Sequence, residues 1–219
     1  MPLTIRAIIF DMDGVLLDSE PLHFEATRDL LAEHGVSYAP AHDENFFGCT
    51  DRDVFTALKA RYRLAPGERA LAEAWIARVV SLLPARAVPL AGVPEVLVRL
   101  RERGLRLALA SSSAPAIIDT TLMALGLGND FEVRVSGHEV AKGKPSPDIF
   151  LEAARRLGLG VGGCVVIEDS MNGLRAALAA GMRCVVVPCP STAHQDFTGA
   201  AGRIGTLEEL PGWINSLDD

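Results

Sequence analysis

Five short apolar runs punctuate the chain: RAIIF at 6–10, LRLALA at 105–110, VRVSG at 133–137, CVVIE at 164–168 and CVVVP at 184–188. They have strand length and little polar alternation. Both faces of each strand are therefore predicted to be buried, as in a parallel sheet covered by helices. Between the runs the apolar spacing turns helical. In SAPAIIDTTLMALG, Ile117, Ile118, Leu122 and Leu125 supply the apolar stripe, Ser113 is the expected N-cap, Pro115 suits the first turn and Gly126 the stop. SPDIFLEAARRLG repeats that design with Ser146, Pro147 and Gly158, and NGLRAALAAG closes on Gly181. Alternating strand and helix predicts an α/β, doubly wound, Rossmann-like parallel sheet.

One connection is far longer than this scheme requires. A βαβ unit takes about thirty residues, whereas the stretch from Asp11 to Gly104 is about three times that and reads as helix throughout. Helices are predicted over 21–34, ending at Gly35; over 51–63, with Thr50 and Asp53 resembling a capping box; over 67–83, stopped by Pro84; and over 93–103, stopped by Gly104. The last fits the crossover helix of the sheet. The first three form an inserted all-helical cap domain, 17–86, in a core made of 1–16 and 87–219.

In an open parallel sheet the site forms at the carboxyl ends of the strands. Asp11 and Asp13 follow the first strand. Ser111, Ser112 and Ser113 follow the second and open a helix. KGKP, Lys142 to Pro145, follows the third across a loop, and Glu168 and Asp169 follow the fourth. Four carboxylates cannot share one pocket without a cation, and hard oxygen ligands point to Mg²⁺, which pairs with phosphate. Asp11 can then serve as a nucleophile that takes a phosphoryl group. Asp13, two residues on, can reach the leaving oxygen as a general acid. Ser111 and the N–H groups opening its helix suit phosphate oxygens, with Ser112 beside them, and a lysine of KGKP neutralises them.

Composition narrows the partners. A net charge of −7 over 219 residues argues against nucleic acid, which wants a basic face. It leaves room for a small phosphorylated metabolite. No stretch approaches the ~18 uncharged apolar residues of a membrane span, and the N-terminal run is too short for a signal peptide. The four cysteines form no CxxC and read as free thiols of a reducing cytoplasm. A monomer or small homo-oligomer is expected.

DMDGVLLDSE, ALASSS, KGKPSPDIF and VIEDSMNG, in this order and spacing, resemble the four motifs of the haloacid dehalogenase-like superfamily, over essentially the whole chain. The insert after the first motif resembles the subfamily I cap found in β-phosphoglucomutase and small sugar-phosphate phosphatases. The resemblance implies Asp11 as nucleophile and Asp13 as acid/base. It implies Ser111 and Lys144 on the phosphate, the lysine being the one immediately before proline. It implies Mg²⁺ on Asp11, the backbone carbonyl of Asp13 and Asp169, with Glu168 helping directly or through water. His23 matches a histidine near the acid/base of mutase-like chains. FFGCTDRD resembles the cap loop that contacts substrate, which makes Gly48 and Arg52 candidates there.

The expected activity is a Mg²⁺-dependent phosphomonoester hydrolase for small phosphorylated metabolites, foremost sugar phosphates. The main alternative is a phosphoglucomutase-like isomerase using the same aspartyl-phosphate. His23 favours it. Against it, Asp51 stands where the mutase pattern resembles arginine, and Ala114 and Pro115 stand where it has a Lys-Asn type pair. A haloacid dehalogenase has no leaving oxygen for Asp13 to protonate and no need of Glu168 and Asp169. A receiver-like binding module would carry its phosphoaccepting Asp after the third strand, where none stands. His138 reads as structural, and CPSTAHQDF at 189–197 lies either near the site or on the surface.

Overall fold

The computed structural model describes residues 5–39, 46 and 48–216. The expected domain ends at 1–4 and 217–219, the cap segment 40–45 and Phe47 of FFGCTDRD lie outside the described residues. Six parallel strands form one sheet: β1 (Ala7–Phe10), β2 (Arg106–Ser111), β3 (Val133–Ser136), β4 (Cys164–Glu168), β5 (Arg183–Val186) and β6 (Gly202–Arg203), in the order β3-β2-β1-β4-β5-β6. β1 pairs with β2 on one side and β4 on the other, Phe10 lying opposite both Leu109 and Ile167. This is the point at which the strand order reverses, where doubly wound sheets open a crevice for ligands. The first five strands match the apolar runs to within two residues. β6 is two residues long and carries no apolar run, so the pattern could not announce it.

The helices are α1 (Glu20–Ala32), α2 (Asp51–Tyr62), α3 (Glu68–Arg86), α4 (Val93–Glu102), α5 (Pro115–Ala124), α6 (Asp148–Arg156), α7 (Met171–Ala179) and α8 (Leu210–Asn215). Thr50 caps α2, its hydroxyl accepting from the Asp53 N–H at 3.2 Å. α3 does not stop at Pro84 but runs to Arg86, and the Ala87 N–H closes its end on the Leu83 carbonyl at 2.8 Å. A proline removes one donor but has a φ that suits a helix, so a last turn held by its neighbours can form around it. Ser113 is not the cap of α5: that place falls to Ala114, and Ser113 turns elsewhere. Likewise Pro147 holds the cap position of α6, with the Ser146 hydroxyl donating to Asp148 at 2.8 Å.

Alternation along β1 divides the core. Ile8 and Phe10 join a large cluster with Leu97, Leu100 and Ile118 that continues into the cap through Phe55, Trp75 and Val79. Ala7 and Ile9 face the other way, onto Phe150, Ala153 and Leu174 of α6 and α7. The cap helices hold each other through Trp75, whose indole N–H donates to Thr27 on α1 at 3.0 Å and whose ring lies 5.8 Å from Phe55 on α2. α3 packs against α1 and α2 and also runs along α5. The chain leaves and re-enters the core at adjacent points: Leu17 bridges Pro89, and the Leu90 N–H donates to the Leu16 carbonyl at 2.9 Å.

Candidate active site

The Asp11 N–H donates to the Ile167 carbonyl at 2.9 Å, extending the β1–β4 pairing by one residue. That fixes the Asp11 carboxylate beside the tip of β4. Met12 is fully buried and its carbonyl accepts from Leu16, so the chain turns at once and returns Asp13 to the same edge. Gly14 makes the turn with φ +73°, and a Cβ there would stand 2.2 Å from Asp169 Oδ2. Glycine is required on both counts: backbone sign and the closeness of the second carboxylate.

Lys144 is 3% exposed and lies between two carboxylates, its Nζ 2.9 Å from Asp11 Oδ1 and 2.7 Å from Glu168 Oε1. It also donates to the Ala110 carbonyl at 3.2 Å. Burial pulls its pKa down, but the charges and hydrogen bonds of Asp11 and Glu168 outweigh burial and raise it, so it stays an ammonium. Glu168 is fully buried and saturated: Oε2 accepts from the Asp169 and Ser170 N–H groups at 3.1 Å each and from the Ser170 hydroxyl at 3.0 Å.

Asp13 is aimed by hydroxyls. Oδ1 accepts from Ser19 at 2.5 Å; Oδ2 accepts from Ser113 at 3.0 Å and from Ser111 at 3.4 Å. His23 Nε2 stands 3.8 Å from Oδ1, its ring 5.1 Å from Trp75. The expected phosphate-binding hydroxyls divide: Ser111 also accepts the Ser113 N–H at 3.1 Å, while Ser112 donates to the Gly48 carbonyl at 2.8 Å and so joins core to cap.

Asp11, Glu168 and Asp169 each bring a carboxylate oxygen into one cluster within 4.8 Å. The Asp13 side chain is not in it. Burial first, then the Glu168 charge, pushes the carboxyl pKa of both Asp11 and Asp169 up. Asp11 Oδ1 is buried and, despite the nearby lysine, receives no directed hydrogen bond. An unsatisfied oxygen among three buried carboxylates facing one lysine fits a hard divalent cation. Asp11 and Asp169 retain the capacity to hold it. Glu168, its oxygens already occupied, positions Lys144 and the chain around it.

A cavity between core and cap is floored by Asp11, Asp13, Ser112, Ser113 and Asp169 and walled by His23, Gly48, Asp51, Phe55 and Trp75. Arg52 is exposed and is not among the lining residues, because the first turn of α2 directs Asp51 inward and its neighbour outward. Asp51 is instead paired across the interface with His138, from the turn after β3, and its hydrogen bond, ahead of burial, raises the His138 pKa. The segment 189–197 adjoins the site: Cys189 Sγ and Thr192 Oγ1 lie 3.3 and 3.4 Å from Asp169 Oδ2, and Gln195 accepts the Met171 N–H at 2.6 Å. Ser19, Asp51, His138, Cys189 and Thr192 were not legible as site residues. Ser19 alone carried a signal, standing inside DSE beside the first motif.

The sequence profile of the haloacid dehalogenase-like hydrolases matches residues 5–181. Hexitol phosphatase B of Escherichia coli K12 is 35% identical over 95% of this chain and 96% of its own length. Protein CbbY of Rhodobacter capsulatus is 35% identical over 94% and 95%. The crystal structure of CbbY from Rhodobacter sphaeroides in complex with phosphate superposes with a TM-score of 0.88 at 29% identity, over 94% of this chain and 96% of that one. With the four motifs converging on one cavity and a profile spanning sheet and cap, the chain belongs to the haloacid dehalogenase-like hydrolases.

Proposed function

We propose that this hydrolase is a Mg²⁺-dependent phosphatase of small phosphorylated metabolites, sugar phosphates foremost, working through an aspartyl-phosphate on Asp11. One observation carries the reading. Asp11 is sealed beside Lys144 on the floor of the same cavity into which three hydroxyls aim Asp13. The similarity to a hexitol phosphatase and to a protein seen with bound phosphate supports it. The four free thiols suit a reducing cytoplasm, and among the described residues no helix is long and apolar enough to cross a membrane.

Asp11 attacks phosphorus as the ester P–O bond breaks, and the leaving oxygen takes a proton from Asp13. Water then attacks the aspartyl-phosphate. Asp13 recovers its proton from that water, inorganic phosphate departs and Asp11 is free again. Lys144 neutralises charge on the phosphoryl oxygens, and Ser112 and Ser113 line the cavity there. Mg²⁺ held by Asp11, Asp169 and the Asp13 carbonyl would add positive charge at the same oxygens. The cap walls exclude bulk water and read the leaving group.

A phosphate-release screen over sugar phosphates, phosphoglycolate, nucleotides and pyrophosphate, with Mg²⁺ and with chelator, tests this reading. Release confined to one group of phosphomonoesters and abolished by chelator is expected. Conversion of β-glucose 1-phosphate on adding a bisphosphate, with no phosphate released, would replace it with an isomerase. Asp13→Ala is expected to slow release from an alkyl phosphate by about 10²–10⁴-fold, and release from p-nitrophenyl phosphate less, because that leaving group departs without a proton. Equal, undiminished rates on both would remove Asp13 from the acid role.

A further inference from the structure

Asp51 is the least explained group in the cavity. It is the first residue of α2, and its side chain is 1% exposed. Oδ1 is fully engaged, accepting the Arg52 N–H at 2.8 Å and pairing with His138. Oδ2 is buried and has no partner. Yet Asp51 lines the same cavity as Asp11 and Asp13, beside the apolar side chains of Val54, Phe55 and Trp75. A carboxylate oxygen shut from water without a donor is costly to keep. His138 is what keeps it there: the pair crosses from core to cap and holds Oδ1, so Oδ2 is the atom left over.

We propose that Asp51 determines specificity by accepting a hydroxyl of the substrate's leaving group through Oδ2, selecting monophosphates of neutral polyhydroxylated compounds and rejecting leaving groups that bear a second phosphate. This rests on the phosphatase reading and sharpens it. A hydroxyl supplies the missing donor and is neutral, so it enters a wall otherwise built of apolar side chains without a desolvation cost of its own charge. A second phosphate brings like charge and only acceptors to the same place, and no cation lines this part of the wall to offset it: Arg52, next in sequence, is exposed. The carboxylate thus attracts one class and repels the other.

The test compares kcat/KM of wild type, Asp51→Asn and Asp51→Ala on three probes: a hexose or hexitol monophosphate, the corresponding bisphosphate, and p-nitrophenyl phosphate, which lacks hydroxyls. Asp51→Asn keeps the shape and removes the charge, so it remains informative if Asp51→Ala folds poorly. The expected result in Asp51→Ala is a loss of about 10- to 100-fold on the polyol monophosphate, with the ratio of that value to the p-nitrophenyl phosphate value falling at least tenfold. In Asp51→Asn the bisphosphate-to-monophosphate ratio should rise at least tenfold. Equal losses on all three probes, or no change in either ratio, would overturn the specificity role while leaving the phosphatase standing. A wild-type protein that releases phosphate from none of the three overturns both.

Discussion

Asp11→Asn will release no measurable phosphate from any substrate the wild type accepts, a loss of at least about 10⁴-fold. The substitution exchanges one carboxylate oxygen for an amide nitrogen of nearly the same size. It leaves the Asp11 N–H on the Ile167 carbonyl and the β1 pairing untouched. It also removes a charge that burial and Glu168 both disfavour, so the melting temperature should hold or rise. Lys144 keeps Glu168 as its counter-ion at 2.7 Å. The two readouts are phosphate release and the intact mass of protein quenched during turnover, in which wild type shows the added phosphoryl group and the variant does not. A folded variant with more than about a hundredth of wild-type turnover would take the nucleophile role away from Asp11.

Lys144→Met will damage fold and activity together. The methionine fills the space of the lysine stem against the Phe150 ring, over which Nζ now lies at 5.2 Å. It leaves two sealed carboxylates, Asp11 and Glu168, with no counter-charge. Breaking a buried pair in this way costs about 3–5 kcal/mol, or about 10 °C of melting temperature for a chain of this size. Loss of positive charge at the phosphoryl oxygens takes a further ~10²–10³-fold from kcat. The double variant Lys144→Met with Glu168→Gln separates the two effects. It relieves the stranded charge and should regain a good part of the stability, while turnover stays low. If the double variant is as unstable as the single one, the damage comes from packing rather than from charge. If Lys144→Met turns over normally, the lysine does not serve the phosphoryl group.

The strands were legible because burial on both faces imposes unbroken apolar runs, and the motifs because each carries its polar residue at the end of such a run. Asp11, Lys144 and Asp169 meet for that reason alone: parallel strands put like ends together. Caps were harder to read. A serine before a helix suits an N-cap by local chemistry, and nothing local says that Ser113 is drawn to Asp13 instead. The fate of Pro84 depends on packing along α3, which its own sequence does not announce. The cap loop was least legible. Asp51 and Arg52 are adjacent, charged and equally plausible, and only the helical rotation between them decides which one lines the cavity. His138 and the segment 189–197 acquire their roles from contacts across long stretches of chain, to Asp51 and Asp169 respectively.

The floor of the cavity is written by four strand tips and its walls by one contiguous stretch around 48–55, together with His23 and Trp75. The two inventories share no residue. Heritable change in the wall can therefore accumulate while the phosphoryl-transferring groups stay as they are, and each variant is still an enzyme on the day it arises. A chain built this way can acquire a new diet one cap residue at a time. An engineer who wishes to redirect it needs a library of a few codons in α2 and the loop before it, screened against leaving groups rather than against chemistries.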